Sequence, residues 1–387
     1  MSLIGNWNYP TPIKFGAGRI NELPAHCRAH GIARPLLVTD AGLANAPITT
    51  AALQSLHAAG LGAALFAQIK PNPVEANLID GLAAYRAGNH DGVVAFGGGS
   101  GLDMGKLIAF MSGQTRPIWD FEDIGDWWTR ADADGIAPII AVPTTAGTGS
   151  EVGRAGVLTD ERTHTKRIIF HPKMMPRLVI CDPELTIGMP ARITAGTGMD
   201  AFSHCLEAYC APGFHPMADG IALEGMHLIA GALPRVMREP TDLDARGRMM
   251  AGAVMGATAF QKGLGGMHAL AHPIGALYDS HHGMTNATLM PYVLDFNRSA
   301  IEQRITRLAA YLGLPLPDDF DSFLQFVLHL RREVGVPHTL PDLGVDDRHA
   351  ALIAKMAVED PSAAGNPVTL TEAGAAAIFT AASKGTV

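Results

Sequence analysis

Asp200, His204, His268 and His282 are the residues whose types and spacing point most directly to chemistry. They lie in GMDAFSHCLEAY (198–209) and GMHALAHPIGALYDSHHGMTN (266–286), two segments with few charges and helical periodicity. Asp200 and His204 are four residues apart, as are His268 and His272, so each pair projects from one helix face about 5–6 Å apart. One carboxylate and three imidazoles are a complete protein ligand set for a divalent transition metal. His272 is left beside that set with no need to ligate, which points to a reaction and not only to a structural ion. Taken singly, D-x-x-x-H and H-x-x-x-H arise by chance in many proteins, so the weight rests on their joint occurrence. His281 competes with His282, because only one of two adjacent side chains easily points inward, and residue chemistry does not choose between them. Pro273 and Gly275 are expected to interrupt the helix, and 279–283 to form a polar turn that folds a histidine back toward the ion.

A divalent ion on this set would keep a net charge of about +1 and take a substrate oxygen as a further ligand. It would polarise a carbonyl and stabilise an alkoxide at neutral pH. Hydride transfer then needs a nicotinamide, since the side chains supply no redox chemistry. His272, one turn from His268, is placed to relay the released proton or to meet the nicotinamide ribose. The competing reading of His272 is a packing histidine.

A nucleotide site has its own marks. Gly97-Gly98-Gly99-Ser100-Gly101 stands between a buried strand and a helix, where glycines let the backbone approach a diphosphate at the positive helix end. The spacing is not G-x-G-x-x-G, and a plain tight turn would look similar. Asp40 ends an early strand, where a carboxylate accepts from a ribose diol and repels a 2′-phosphate, favouring NAD over NADP; capping the next helix is the bland alternative. A second polar turn, 143–151 with Thr144 and Thr145, also follows a strand. Two such loops at strand ends of one sheet carry more weight than either alone, because open α/β sheets bind ligands there.

The elements that must position these groups alternate. Strands are expected at 35–39, 61–69, 92–96, 136–144 and 177–183, with helices near 47–59, 75–87 and 102–111. That order predicts an open parallel sheet with helices on both faces, a Rossmann-like dinucleotide-binding α/β domain over 1–188. From about 190 onward Ala, Met, Leu and His recur at helical spacing with no strand, so 189–387 reads as an all-α, metal-binding domain.

Composition narrows the class. The 387 residues are 48% hydrophobic and 17% charged, which excludes disorder and exceeds the usual size of a single core. A net charge of −8 offers no basic footprint for nucleic acid. The four cysteines (Cys27, Cys181, Cys205, Cys210) form no C-x-x-C pair and read as reduced thiols, with Cys205 in the core. No signal peptide and no membrane span are visible, so a soluble cytoplasmic protein is expected.

With these residues in view, the chain resembles the iron-containing (group III) alcohol dehydrogenases nearly end to end. The matching segments are TPIKFGAGRINEL (11–23), GGGSGLDMGK (97–106), PTTAGTGSEV (143–152), KRIIFHPKMMP (166–176), GMDAFSHCLEAY and HALAHPIGALYDSHHG (268–283). The resemblance implies metal ligation by Asp200, His204, His268 and His282, selecting His282 over His281. It makes His272 the non-ligand histidine near the nicotinamide. Cofactor contacts are implied for Asp40, Gly98, Gly99, Ser100, Thr144, Thr145 and Lys166, and Asp103 matches the acidic residue after the glycine loop. The implied cofactors are NAD and Fe2+, with Zn2+ or Ni2+ as alternatives. A homodimer is implied too, paired through N-terminal segments like 6–16. Departures are Gly101, where many relatives carry Pro, and Val368, where GNPR is common.

The function expected is reversible oxidation of a small alcohol to its aldehyde or ketone by hydride transfer to NAD. One alternative is a hydroxyacid–oxoacid transhydrogenase with retained cofactor; another is a metal-dependent lyase or hydrolase on a phosphorylated sugar. Arg154 is placed either to meet an acidic substrate group or to face solvent, and the aromatic stretch Trp119, Phe121, Trp127 and Trp128 either walls the cleft or packs the domain edge; neither sets the alcohol's length or charge.

Overall fold

The computed structural model describes residues 11–163, 165–315 and 319–387. Contacts divide them into two compact units, one reaching Thr145 and resuming over Gly149–Gly188, the other made of Ala146–Thr148 and Met189–Val387.

The first unit runs β1 (Ile13–Phe15), α1 (Leu23–Ala29), β2 (Pro35–Val38), α2 (Pro47–Ala58), β3 (Ala64–Phe66), α3 (Glu75–Ala87), β4 (Gly92–Gly97) and α4 (Gly99–Met111). It continues with β5 (Ile139–Pro143), β6 (Ala155–Asp160), β7 (Thr165–Phe170) and β8 (Leu178–Cys181). Six strands make a parallel sheet in the order β1-β8-β5-β4-β2-β3. Strands β2, β4, β5 and β8 are buried along their whole length, which is why their sequences are unbroken apolar runs. From β2 the chain steps outward to β3, whereas from β4 it steps the other way to β5. The carboxyl ends of β2 and β4 therefore form the switch point at which open α/β sheets hold ligands.

Three features differ from the sequence-based expectation. β1 is a three-residue edge strand, too short to show a pattern. β6 and β7 pair antiparallel as a separate two-stranded sheet. Lys166 and Arg167 break the apolar pattern of β7, whose side chains stay mostly half-buried. Helix α4 begins at Gly99 and not near Leu102, so the Gly-rich segment is itself the first helical turn.

The second unit contains α5 (Ala191–Cys210), α6 (Pro216–Arg238), α7 (Leu243–Ala259), α8 (Gly266–Tyr278), α9 (His282–Leu312), α10 (Phe320–Glu333), α11 (Ala350–Glu359) and α12 (Glu372–Lys384). No strand occurs among its described residues. α5 is buried from Thr194 to Cys210 and packs on α6, α7 and α9. Pro273 does not interrupt α8, which continues to Tyr278 and ends where Asp279 turns left-handed at φ 50°. A proline removes one hydrogen bond, and the deep burial of His268–Ala271, Pro273 and Ile274 outweighs that local penalty. The turn between α8 and α9 is thus shorter than expected, and His282 is the first residue of α9. Among the described residues no helix is long and apolar enough to cross a membrane. Residues 6–10 of the segment expected to pair two subunits lie outside the described residues.

Candidate active site

Asp200 and His204 sit one turn apart on α5, His268 is in the first turn of α8, and His282 opens α9. The Asp200 carboxylate faces all three rings: Oδ2 is 4.0 Å from His204 Nε2, and Oδ1 is 3.9 Å from His268 Nε2 and 3.6 Å from His282 Nε2. Ligand atoms of Asp200, His204 and His268 lie within 4.8 Å of one another. Donors bound at about 2.0–2.2 Å to one tetrahedral ion stand roughly 3.4 Å apart, so a small contraction brings these atoms onto a single cation. Asp200, His204 and His268 are at most 5% exposed, a setting in which a carboxylate among imidazoles needs a counter-charge.

The protonation states of Asp200 and His204 suit a cation. Burial pushes the Asp200 carboxyl up, yet His204, His282 and His268, with a hydrogen bond from Asn286, hold it well below the usual carboxylate range. Burial drives His204 down to about 4 against the pull of Asp200, so its ring is neutral at physiological pH. His268 is also depressed by burial, but Glu207 and Asp200 more than reverse this and raise it.

His281 has a different task. Its Nδ1 accepts the Met284 N–H at 3.3 Å and so caps α9, while its ring lies over Gly196, where even a methyl group would collide at 2.6 Å. That separates the two adjacent histidines left undecided by residue chemistry. His272 joins the cluster from one turn further along α8. Its ring stacks on His282 with centroids 5.4 Å apart, and its Nδ1 is 2.8 Å from Asp360 Oδ2. Cys205 is a fully buried free thiol, as expected.

In the first unit the nucleotide candidates gather at the switch point. Gly97 ends β4 at φ 141°, and the first helical bond of α4 runs from Leu102 N–H to Gly98 O at 3.0 Å. The Gly99, Ser100 and Gly101 amides precede it at the positive end of the helix. A side chain at Gly98 would come to 3.2 Å from Thr145, and the Thr144 N–H binds Gly97 O at 3.0 Å, so the two expected loops are neighbours. Asp40 Oδ1 accepts the Gly42 and Leu43 amides at 2.9 and 3.2 Å, which makes the residue a loop cap as well. Asp103, also expected at the cofactor, has partners within the fold. One of its oxygens takes the Ser150 hydroxyl and pairs with the buried Lys106 at 3.2 Å, and the other accepts Val157 N–H at 3.1 Å. Its carboxylate ties α4 to the 150 turn and β6. Lys166 lies on β7 opposite Thr159.

The candidate substrate contacts have internal partners. Arg154 lies over the Phe170 ring, Trp119 donates to Glu75 at 2.8 Å, Phe121 packs edge-on to Phe110, and Trp127 lies beneath Arg130. Trp128 meets Phe170 and His171 edge-on. These aromatic residues pack the first unit.

A model for the iron-containing alcohol dehydrogenases matches residues 10–183, and one for the C-terminal part of that family matches 194–383. The chain belongs to the iron-containing alcohol dehydrogenase family. It is 40% identical to a 4-hydroxybutyrate dehydrogenase of Cupriavidus necator over 88% of this chain and 89% of that one. It is 32% identical to an NAD-dependent methanol dehydrogenase of Bacillus methanolicus over 95% and 96%. A solved 1,3-propanediol oxidoreductase superposes with a TM-score of 0.93 at 35% identity, covering 98% of this chain and all of that one. This dehydrogenase is therefore an oxidoreductase that interconverts an alcohol and its carbonyl compound, and the family implies NAD and a divalent metal. Membership sets aside the lyase or hydrolase alternative.

Three polar residues of the dehydrogenase's site were not foreseen from sequence. Glu207, one further turn along α5, reaches His268 Nδ1 at 2.6 Å and accepts the Met267 N–H at 2.7 Å. The Asn286 amide nitrogen lies 2.9 Å from Asp200 Oδ1 and 3.1 Å from both His268 Nε2 and His282 Nε2. Asp360 follows α11, far along the chain from the histidine it holds. Two of them left a signal: Glu207 is a carboxylate seven residues after Asp200, and Asn286 stands four residues after His282 on the same helix.

Proposed function

We propose that this dehydrogenase uses NAD and one divalent ion held by Asp200, His204, His268 and His282 to interconvert a small alcohol with its aldehyde or ketone. The observation that carries the reading is one buried carboxylate with the Nε2 atoms of three imidazoles within 4.0 Å of its oxygens. The donor set fits a first-row metal: a single negative charge leaves about +1 on the centre, and nitrogen-rich ligation suits Fe2+, Zn2+ or Ni2+. When bound, the ion acts as a Lewis acid on the substrate oxygen and NAD exchanges the hydride.

The chain's own residues do the rest. Asp200 supplies the negative charge, and neutral His204 offers a lone pair without first losing a proton. His272 donates its Nδ1 proton to Asp360, which leaves Nε2 as the acceptor for the proton released when the alcohol is oxidised. Asp40, at the end of β2, favours NAD by accepting from a ribose diol and repelling a 2′-phosphate. Gly98, Gly99, Ser100, Thr144 and Thr145 cradle the diphosphate, and Lys166 is a further cofactor contact.

The names of the relatives support small, polar substrates: short alcohols, diols and ω-hydroxy acids. A panel of these and their aldehydes, followed by NADH absorbance with Fe2+, Zn2+ or Ni2+, tests the reading. NAD-linked turnover that disappears in His268→Ala together with the bound metal is the expected result. Full activity in a metal-stripped variant would refute it, and 2-oxoacid-dependent turnover without added NAD would favour the transhydrogenase. We further infer a cytoplasmic homodimer; sedimentation as a monomer at micromolar concentration contradicts the oligomer.

A further inference from the structure

Glu207 has no part in the reaction as described, yet it is a carboxylate only 5% exposed with both oxygens committed. It stands on the face of α5 that carries Asp200 and His204, one turn beyond His204, and looks across to the start of α8. Oε1 accepts the Met267 N–H and Oε2 lies against His268 Nδ1. We propose that Glu207 is a positioning residue that holds the His268 proton on Nδ1, keeps Nε2 free for the metal, and thereby sets the affinity of the site.

The argument is one of donors and acceptors. A neutral imidazole carries one proton on two nitrogens. A carboxylate only accepts, so the nitrogen facing Glu207 must be the one that donates. The other nitrogen, Nε2, is then bare, and its surroundings agree: Asn286 presents its amide N–H to it at 3.1 Å. The opposite orientation of that amide would set its oxygen against the Asp200 carboxylate, so the Asn286 donor is fixed independently of Glu207. Both neighbours therefore demand the same tautomer, the one able to ligate. Because Oε1 is tied to the α8 backbone, Glu207 cannot turn away without exposing the Met267 donor, and the ring's angle is fixed together with its proton.

Glu207→Gln separates these jobs with almost no change of shape. With its oxygen kept on the Met267 N–H, the new NH2 faces His268 Nδ1 and makes that nitrogen an acceptor. The proton then moves to Nε2, where metal binding must expel it. Rotating the amide instead opposes two donors at Met267. Either way the site is frustrated. Carboxylates behind ligating histidines are worth roughly 10–100-fold in metal affinity, so a loss of that size is expected.

This inference rests on His268 being a ligand, and the experiment tests the two separately. Holoenzyme, Glu207→Gln and His268→Ala are equilibrated against chelator-buffered Zn2+, and bound zinc is counted at each free concentration. Release from Glu207→Gln at about 10–100-fold higher free Zn2+, with unchanged circular dichroism, supports the proposal. A release curve matching the wild type overturns it, provided His268→Ala has lost its zinc. Wild-type retention in His268→Ala would instead sink the ligand assignment itself. Should Glu207→Gln fail to fold, the 15N shifts of His268 in the metal-free wild type decide: a proton on Nδ1 supports the proposal and one on Nε2 overturns it.

Discussion

Gly283 of α9 lies directly against the Gly196 carbonyl of α5, so that a methyl group at Gly283 would stand 2.1 Å from that oxygen and 3.0 Å from Asp200 Cβ. This contact lets the start of α9 come close enough to carry His282 to the carboxylate. Gly283→Ala has no room unless the helices separate. We expect a loss of about 1–3 kcal/mol in thermal or chemical unfolding together with lower metal content. Normal metal occupancy in a folded Gly283→Ala protein would show that His282 does not depend on this approach.

Asp360 and His272 are expected to act as one unit. Asp360→Asn and His272→Ala should each retain the metal while lowering kcat by about tenfold or more, as losing a general acid–base group or its orientation does. Because the two side chains share one hydrogen bond, the double variant should be little worse than His272→Ala alone. Additive losses, or an unchanged pH–rate profile, would leave His272 as packing.

Asp40→Asn keeps an acceptor for the Gly42 and Leu43 amides but removes the charge. The loop should hold, and the kcat/KM preference for NAD over NADP should fall by about tenfold, as for the loss of roughly 1.4 kcal/mol of repulsion. An unaltered preference would place cofactor choice elsewhere.

Glu151, the last residue of the 143–151 turn, is 2% exposed, and burial pushes its carboxyl up to about 7 despite its own backbone hydrogen bond and nearby Lys106. The unfolded chain releases this proton near the ordinary value of 4.5. Between 4.5 and about 7 the fold holds the extra proton, so stability declines as pH rises through that window and the deficit remains above it. Glu151→Gln should therefore raise Tm more at about pH 8 than at about pH 5, with a difference on the order of 3 kcal/mol. Equal gains at both pH values would place the charged form in a better solvated site.

What could be read from the sequence follows from how far each signal reaches along the chain. β4 and β5 are covered on both faces, so Val93–Val94–Ala95–Phe96 and Ile139–Ile140–Ala141–Val142 show as plain apolar runs. Helical spacing likewise placed Asp200 beside His204 and His268 beside His272. β7 was hidden because its charged residues sit on the less buried positions of a small separate sheet. The start of α4 was hidden because glycine is a poor helix former, and anchoring by the sheet overrides that preference. Pro273 misled for a related reason, local chemistry giving way to packing. Asn286 is one turn from His282 on α9, a spacing as legible as that of Asp200 and His204, whereas Asp360 meets His272 only after the segment beyond α11 has docked, and no spacing rule reaches across 88 residues.

The four candidate ligands come from three helices, and the chain between His204 and His268 includes all of α6 and α7. An ion gripping all four would work as a stitch, tethering stretches of chain that the unfolded polymer lets wander apart. Chelation should then do more than silence turnover: it should soften the whole helical half, which would exchange its amide hydrogens faster and melt earlier than the parallel sheet.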